Sequence, residues 1–401
     1  MARPPKGVEL AAFLPTAIWA GLLLGRGRYW STSTGLPPVV ARPEKWPAVA
    51  VIVPARNEAA LLPRTLPSLL GQDYPGQVRV VLVDDMSTDG TAETALAVAK
   101  ASGVPVSVVS GRRRPPGWAG KPWAMAQGTE YALAQARAPE WLLFTDADIW
   151  HPPSSLRELV AAAMSDHRDA VSLMARLPAS SAWESLLLPA FVYFFAQIYP
   201  FSWVNDRGRR TAAAAGGCIL VRTEALRTAG GLEAVASATI DDVAMAKALK
   251  RSGQDIWLGL AGGWAAPDVS SLRSYPHLAD IWEMVTRNAY TQLRHNPALL
   301  AGTLAGLFST YLAPPIFGIW GVVGRRPTLA AAGLSAWAAM AASYLPMARY
   351  YRTSPATAAA LPLTAALYAA MTFDSARRHY QGAVAWKGRP LQDRAGAPMC
   401  S

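Results

Sequence analysis

Short β-branched runs that alternate with helical patterns constrain the fold of this chain more than any other feature. The runs are residues 49–53, 78–83 and 104–109, and helical periodicity fills the two gaps between them. Runs of this length and composition are typical of buried strands. Strands that alternate with helices predict a parallel sheet with right-handed crossovers. We therefore expect an α/β fold for the central part of the chain.

Acidic residues follow the apolar segments. They are Glu58, the pair Asp84 and Asp85, the pair Asp146 and Asp148, and the pair Asp241 and Asp242. Ligands of parallel sheets bind beyond the carboxyl ends of the strands, so the first five of these residues are expected there. Two carboxylates one residue apart, as in Asp146-Ala-Asp148, suit a divalent cation such as Mg²⁺ or Mn²⁺ that also binds phosphate. The alternative for each pair is an ordinary loop or a helix cap.

Several classes of protein are disfavoured by motifs that the sequence lacks. No Gly-x-Gly-x-x-Gly follows the first run, and no Gly-x-x-x-x-Gly-Lys-Ser/Thr is present. This argues against a dinucleotide enzyme and against a P-loop ATPase. Cys218 and Cys400 are too few for a disulfide framework and fit a reducing compartment. The histidines and cysteines show no zinc-site spacing.

Long uncharged stretches near both ends of the chain predict membrane segments. The chain is 52% hydrophobic and 16% charged, and its candidate spans are residues 8–25, 298–323, 328–347 and 356–373. We predict an uncleaved N-terminal anchor with its linker at 1–36, a cytoplasmic domain at 37–297, membrane helices at 298–376 and a basic tail at 377–401. Three full crossings would place that tail outside, so one of the C-terminal stretches is expected to be re-entrant or interfacial.

Residues 183–204 form another apolar and aromatic segment, in which only Glu184 is charged. Pro189 and Pro200 interrupt it, and a crossing there would split the central domain across the membrane. We predict an interfacial helix that dips into the lipid beside the site, with a buried core helix as the alternative. The formal charge of +11 is ascribed to attraction to anionic lipid headgroups and not to nucleic acid, because basic residues cluster beside the apolar spans.

The motifs of the central domain, taken together, resemble those of the family 2 glycosyltransferases, which have the GT-A fold. The motifs are Val53-Pro-Ala-Arg-Asn-Glu58, Asp84-Asp-x-Ser-x-Asp-Gly-Thr91, Gly120-Lys-Pro-Trp-Ala-Met-Ala-Gln-Gly128, Thr145-Asp-Ala-Asp148, Gly216-Gly217, Gly230-Gly231-Leu232 and Ile240-Asp-Asp242. Finer features, at residues 200–206, 211–218, 291–294 and 311–315, are similar to the hopanoid-associated (hopene-associated) membrane subgroup. The resemblance implies a Rossmann-like, mostly parallel GT-A domain that uses a nucleotide diphosphate sugar, with a UDP-sugar as the expected donor.

The resemblance also implies roles for the carboxylates. Asp242 matches the carboxylate that takes the acceptor's proton in a single inverting displacement. The family most often has Glu before it, whereas this chain has Asp241, which leaves both residues as candidates for the base. Asp146 and Asp148 are the candidate ligands of Mg²⁺ or Mn²⁺. By the resemblance, Asp148 is the direct ligand and Asp146 lies nearer the ribose or sugar.

The remaining candidate residues would bind the donor or the acceptor. Those expected to bind the nucleotide sugar are Pro54, Arg56, Glu58, Asp84, Asp85 and Lys121, and those expected near the sugar or acceptor are Gly216, Gly217, Gln292 and Arg294. A solvated loop lysine is the alternative for Lys121. Gln292 and Arg294 stand near the Gln-x-x-Arg-Trp position of processive synthases, but without its spacing or its Trp, which favours single transfer over polymer extrusion.

The expected activity is transfer of a sugar to a membrane lipid, such as a hopanoid or another polyisoprenoid. The expected location is the bacterial cytoplasmic membrane, in multi-pass form, with the catalytic domain facing the cytoplasm. Transfer to a polyprenyl phosphate is an alternative that requires a basic phosphate site, for which residues 207–210 are the candidates. A membrane lipid-binding scaffold on a catalytically dead fold is the alternative of another class.

Overall fold

The computed structural model describes residues 13–263, 265–381, 385–386 and 389–390. The chain divides into two compact units. An α/β unit comprises residues 33–178, 203–274 and the described residues after 384, and a helical unit comprises the described residues before 33, residues 179–202 and those from 275 to 381. The first part of the predicted anchor, residues 8–12, and most of the predicted tail lie outside the described residues. The domain limits drawn from the sequence stay predictions.

The strands belong to one large sheet and two small ones. In chain order they are β1 (Val49–Ala55), β2 (Val78–Asp84), β3 (Val106–Ser110), β4 (Trp141–Phe144), β5 (Ile149–Trp150), β6 (Ala170–Met174), β7 (Ile219–Arg222), β8 (Ile256–Leu260), β9 (Ser270–Ser271), β10 (Ala385–Trp386) and β11 (Arg389–Pro390). The large sheet has seven strands in the order β3-β2-β1-β4-β7-β6-β8. Only β7 runs antiparallel to its neighbours, so the expected mostly parallel sheet is confirmed.

The helices alternate with these strands in the α/β unit and follow one another in the helical unit. In chain order they are α1 (Leu14–Gly25), α2 (Leu62–Leu70), α3 (Thr91–Ser102), α4 (Gly120–Leu133), α5 (Ser155–Ser165), α6 (Ala182–Ile198), α7 (Phe201–Asn205), α8 (Thr223–Thr228), a 3₁₀ turn (Leu232–Val235), α9 (Asp241–Arg251), α10 (Leu278–Gln292), α11 (Pro297–Leu307), a π turn (Phe308–Leu312), α12 (Ala313–Val323), α13 (Pro327–Tyr350), α14 (Ala356–Ala359) and α15 (Leu361–Tyr380).

The register of the parallel strands brings their carboxyl ends to one edge of the sheet. Ala55 pairs with Asp84, and Asp84 pairs with Ser110. Ile52 pairs with Phe144, so β4 leaves the sheet at the same edge. The strand interiors are buried on both faces, and each large aliphatic side chain buried there contributes about 1.5–3 kcal/mol. The sheet therefore carries the loops after β1, β2 and β4 side by side.

The third strand begins two residues and ends one residue later than predicted. The sequence pattern placed it at 104–109, and the structure has β3 at Val106–Ser110. Gly103 ends α3 in the left-handed conformation, with φ 69°, so the next residues form the connection and not the strand.

The helical unit contains two helical stretches long and apolar enough to cross a membrane. They are residues 297–323, of 27 residues, and 327–350, of 24 residues. The described part of the predicted anchor, α1, is an apolar helix of 12 residues. The predicted span 356–373 is divided between α14 and α15, and it does not reach the length and hydropathy of the other two.

The segment 183–204 forms α6 and most of α7. Tyr193, in α6, is fully buried, and its hydroxyl lies 3.1 Å from that of Tyr29 and 2.6 Å from Oγ of Ser343. Trp183 and Ile198 at the two ends of α6 are 39% and 49% exposed. One face of α6 is thus packed inside the helical unit, as in the alternative interpretation of this segment, and its contact with lipid stays a prediction.

Glycines let α12 and α13 approach closely. A Cβ atom on Gly333 would lie 2.1 Å from the backbone nitrogen of Gly318, and one on Gly321 would lie 2.2 Å from that of Ala330. Real side chains do not tolerate such distances, so the two backbones meet only because these positions lack side chains.

We predict that Gly333→Ala destabilises the helical unit, because the added methyl group forces the two helices apart. The expected loss is about 1–3 kcal/mol in the free energy of unfolding. The matched control is Gly302→Ala in α11, where a Cβ would meet nothing within 4 Å. That control is expected to be neutral or stabilising, since Ala is the better helix former. Thermal unfolding of both variants in detergent tests this, and equal midpoints would contradict it.

Candidate active site

The loop after β1 is anchored by the loop after β2. The backbone N–H of Asn57 donates to Oγ of Ser87 at 2.9 Å, and that of Glu58 donates to Oγ1 of Thr91 at 2.9 Å. Arg56 donates from Nη1 to the carbonyl oxygen of Asp85 at 2.6 Å. These contacts explain why a Ser, a Thr and an Arg belong to the two motifs, because they hold the two loops together at the carboxyl edge.

Asp84 ends β2, Asp85 begins the loop after it, and neither residue caps the following helix. Oδ1 of Asp84 accepts a hydrogen bond from the N–H of Ser87 at 3.1 Å, and Asp85 is 2% exposed. The helix α3 begins at Thr91 after Gly90, which has φ 84° and provides no side-chain cap. The helix-cap alternative for the acidic pair is therefore wrong. Pro54, another residue expected to bind the nucleotide sugar, is half-buried within β1.

An arginine joins the first motif to the Asp-x-Asp motif. Arg273 donates from Nε to Oδ2 of Asp148 at 3.1 Å and from Nη2 to both carboxylate oxygens of Glu58, at 2.6 and 2.8 Å. Ser271 adds a hydrogen bond to Oδ2 of Asp148 at 3.0 Å. The short ribbon of β5 and β9 places Arg273 there.

Sequence analysis missed Arg273. It follows a strand of two residues, which is too short to leave a periodic pattern. Arg273 lies within the central domain, shortly after a Ser-Ser pair, but it belongs to none of the motifs, so the sequence offers only a weak signal for it.

Lys121 joins the Asp-x-Asp motif to the acidic pair at the start of α9. Its Nζ atom lies 2.7 Å from Oδ1 of Asp146 and 3.4 Å from Oδ2 of Asp241. Burial lowers the pKa of Lys121, but the charges of Asp146, Asp241 and Asp242 more than offset this, so the pKa lies above its usual value. Burial raises the pKa of Asp146, although the positive charge of Lys121 acts to lower it. The solvated-lysine alternative is wrong, since Lys121 is held in the first turn of α4 by carboxylates.

The two aspartates at the start of α9 are held differently. Oδ2 of Asp242 accepts from the N–H of Gly216 at 2.8 Å, and Oδ1 accepts from the N–H of Val243 at 2.7 Å. Oδ2 of Asp241 is buried and accepts no hydrogen bond from the described residues, so its counterpart is the charge of Lys121. Burial, and then the charge of Asp241, raise the pKa of Asp242 to about 6. Asp242 is thus an oriented carboxylate that is ionised at neutral pH, and neither aspartate caps α9.

A side chain at Gly216 or Gly217 would crowd the neighbouring side chains. A Cβ on Gly216 would lie 2.9 Å from Nζ of Lys121, and one on Gly217 would lie 3.0 Å from Ile149. The carbonyl oxygen of Gly217 accepts from Oγ1 of Thr145 at 2.8 Å. Gly216 therefore contributes to the site, because its N–H binds Asp242 and a side chain there would crowd Lys121.

A buried histidine supports the exit of β4. Nε2 of His151 lies 2.8 Å from Oγ1 of Thr145, and burial lowers the pKa of His151 to about 3. It is therefore neutral at physiological pH and hydrogen-bonds the residue before Asp146. Sequence analysis missed this histidine too, because an isolated histidine after a strand has no motif of its own.

Gln292 and Arg294 belong to the helical unit, unlike every other candidate residue. Gln292 ends α10 and donates from Nε2 to the hydroxyl of Tyr199. Arg294 follows it in the left-handed conformation, with φ 54°. Their contact with acceptor or diphosphate stays a prediction.

The two carboxylates of the Asp-x-Asp motif suit a divalent cation that takes its other ligands from phosphate. In the part of the chain that the structure describes, Lys121 meets Oδ1 of Asp146, and Ser271 and Arg273 donate to Oδ2 of Asp148. The other oxygen of each carboxylate is therefore open to a cation. Among the described residues, no group of three or more His, Cys, Asp or Glu side chains could hold a metal by itself. Mg²⁺ and Mn²⁺ suit such a site, since they commonly bind one or two carboxylates together with substrate phosphates.

Parts of the chain are similar in sequence to known proteins. Residues 50–230 match the sequence model of the family described as Glycosyl transferase family 2. Over 102 residues the chain is 35% identical to the 4,4'-diaponeurosporenoate glycosyltransferase of Staphylococcus haemolyticus (25% of this chain and 24% of that protein). Over 71 residues it is 41% identical to an N-acetylglucosaminyltransferase of Mesorhizobium japonicum (16% of each). The chain thus spans a quarter or less of the curated relatives that it matches.

A solved structure extends the likeness to almost the whole chain. It is a mannosyltransferase from Pyrobaculum calidifontis in complex with GDP-Man and Mn²⁺, with a TM-score of 0.52 and 23% identity, covering 90% of this chain and 99% of that one. At this level of identity the likeness concerns the fold, and it confirms the GT-A-type architecture that the motifs predicted.

We predict that Arg273→Ala destabilises the α/β unit by about 1–3 kcal/mol, because it removes the Nη2 donor from which both oxygens of the buried Glu58 carboxylate accept. Arg273→Lys is expected to restore part of this loss, since a lysine keeps the charge but not the fork of donors. The control is Arg227→Ala, whose pair with Glu224 is 77% and 60% exposed and contributes little. Urea unfolding of the three variants measures the differences, and an equal effect of Arg273→Ala and Arg227→Ala would contradict the assignment.

Proposed function

We propose that this protein transfers a sugar from a nucleotide diphosphate sugar to a membrane lipid. The match of residues 50–230 to the sequence model of the family described as Glycosyl transferase family 2 supports this. One observation carries the proposal. Lys121 lies between Asp146, on the expected donor side, and Asp241, beside the expected base, at 2.7 and 3.4 Å. Donor and acceptor chemistry thus meet in one cluster of side chains, as a transferase requires.

Asp242 is the proposed base. In a single inverting displacement, the acceptor oxygen bonds to the anomeric carbon while the bond from that carbon to the diphosphate oxygen breaks. The proton of the acceptor passes to Asp242. The N–H groups of Gly216 and Val243 orient the carboxylate for this transfer. Asp241 is assigned a different part, since it contacts Lys121 and raises the pKa of its neighbour.

The donor is proposed to bind along the loops after β1, β2 and β4. Pro54, Arg56, Asp84 and Asp85 would face the nucleoside, while Lys121 would compensate charge near the diphosphate. Asp146 and Asp148 would hold Mg²⁺ or Mn²⁺, which neutralises charge on the departing diphosphate when bound. The complex of the Pyrobaculum mannosyltransferase with GDP-Man and Mn²⁺ supports the metal, while a UDP-sugar remains the donor expected from the motifs.

The acceptor is proposed to be a lipid, such as a hopanoid or another polyisoprenoid, at the bacterial cytoplasmic membrane. Two helical stretches long and apolar enough to span a bilayer support this. The name of the Staphylococcus relative, a 4,4'-diaponeurosporenoate glycosyltransferase, agrees with it. The predicted orientation has the α/β unit in the cytoplasm, where nucleotide sugars are made. A catalytically dead scaffold is disfavoured, because every carboxylate of the motif set is present and oriented.

We predict that Asp242→Asn lowers sugar transfer by about 10²–10⁴-fold while nucleotide binding in the presence of Mn²⁺ is retained, since only the proton acceptor is lost. Purified protein is assayed with radiolabelled UDP- and GDP-sugars and a lipid extract. The matched control is Asp268→Asn, a surface carboxylate that is 58% exposed in its pair with Arg176 and is expected to keep full activity. Equal labelling by the Asp242 variant would remove this residue as the base. Wild-type protein that binds no nucleotide with Mn²⁺ would favour the scaffold.

We predict that the rate of transfer falls as the pH drops through about 6, because a base acts only in its ionised form and the pKa of Asp242 is raised to about 6. The loss is expected to approach tenfold per pH unit below that value. Asp241→Asn removes one cause of the raised pKa, so this limb of the profile should move to lower pH. A pH profile of kcat/KM for both proteins tests this, and an unmoved limb would show that Asp242 does not set it.

A further inference from the structure

The charges around Asp242 bear on the chemical class of the acceptor. Two classes remain from the sequence: lipids that present a hydroxyl group and lipids that present a phosphate. We infer that the acceptor attacks through a neutral hydroxyl and not through a phosphate, an inference that rests on the proposed function of the same site.

The site carries more negative charge than its cations compensate. The carboxylates that share contacts there are Glu58, Asp146, Asp148, Asp241 and Asp242, and the cations are Lys121 and Arg273. Three negative charges are left over. A divalent cation would neutralise two of them, but the diphosphate of the donor brings at least two more. A phosphate acceptor would add its own charge to this excess, whereas a hydroxyl adds none.

Neither cation is available to a phosphate acceptor. Lys121 is the counterpart of Asp241, whose buried Oδ2 accepts no hydrogen bond from the described residues. If Lys121 turned to an acceptor, it would leave that buried carboxylate without compensation. Arg273 is held by Asp148 and by both oxygens of Glu58. Both cations thus serve the carboxylates of the site. In the proposed function the charge of Lys121 also compensates the donor diphosphate, so neither cation is left for a second phosphate.

Arg207 and Arg209, two of the three arginines in the basic cluster that kept the phosphate alternative open, contact residues away from the carboxylate cluster. Arg207 donates from Nη2 to the carbonyl oxygen of Asp166 and lies 3.1 Å from Asp255, which directly precedes β8. Since β8 runs parallel to β6, and both run parallel to β4, this is the amino edge of the sheet. Arg209 pairs with Asp206 at 3.2 Å. The phosphate alternative requires a phosphate site in residues 207–210. Arg207 and Arg209 do not provide it.

A base such as Asp242 is needed only when the acceptor is a hydroxyl group. A lipid hydroxyl holds its proton at neutral pH and must lose it during attack, so it requires a base. A phosphate monoester is already ionised near neutral pH and offers an oxygen anion without help. The two backbone N–H groups that fix Asp242 prepare a proton acceptor that a phosphate would not use.

The linkage in the product tests this inference directly. Purified full-length protein with Mn²⁺ and the labelled donor panel is incubated with total membrane lipid extract, and the labelled lipid is treated with mild acid and passed over an anion-exchange column. A hydroxyl acceptor gives a glycoside that survives mild acid. An acid-labile, anionic glycosyl phosphate would overturn the inference and leave the proposed transferase intact, whereas no labelled lipid from any donor would overturn both.

A second measurement uses the basic cluster itself. Arg209→Gln is expected to change the KM for the lipid acceptor by less than twofold, because Arg209 pairs at the amino edge of the sheet. Arg207→Gln should behave alike, with thermal unfolding as the check that each variant is folded. A tenfold or larger rise in the acceptor KM with an unchanged KM for the nucleotide sugar would favour a phosphate acceptor and overturn the inference.

Discussion

The contact of one lysine with two separate carboxylates is the interaction on which the site depends. Asp146 comes from the exit of β4 and Asp241 from the start of α9, and Lys121 lies within 3.4 Å of both. Without a cation between them, like charges in a partly buried cluster would repel and draw protons. With it, Asp242 keeps a pKa of about 6 and its ionised form at neutral pH. The absence of a side chain at Gly216 leaves room for the lysine at that position.

A second cation divides the remaining charge. Arg273 takes Glu58 and Asp148, so each carboxylate of the Asp-x-Asp motif has its own counterion from a different part of the chain. This arrangement requires the aligned carboxyl ends of β1, β2 and β4, since the loops that follow them meet only in that register. It also leaves one oxygen of each motif carboxylate for a shared metal, and it assigns both cations before any acceptor arrives. The preference for a neutral acceptor follows from the same distribution of charge.

The helical unit follows a different physical rule. Its apolar helices are held by close backbone approach at glycines and by buried hydroxyl pairs such as Tyr193 with Tyr29 and with Ser343. Interfaces of this kind suit helices that cannot rely on the exclusion of water. The α/β unit instead packs β-branched strands between helices and concentrates its charged groups at one edge of the sheet. The two units thus differ in composition, which the sequence shows as an uneven distribution of apolar residues.

The sequence by itself determined the α/β class, the parallel strands and the acidic residues that follow the apolar segments. Strand periodicity and motif spacing are local properties of the chain. It also indicated Lys121, Gly216 and Gly217, but without their partners. Only the tertiary structure decided that Lys121 joins Asp146 to Asp241, that Arg273 and His151 belong to the site, and that Arg207 and Arg209 pair at the opposite edge. Contacts such as that of Arg273 with Glu58 join residues 215 positions apart. No local pattern encodes such a contact, since it depends on strand order and on the pairing of β5 with β9.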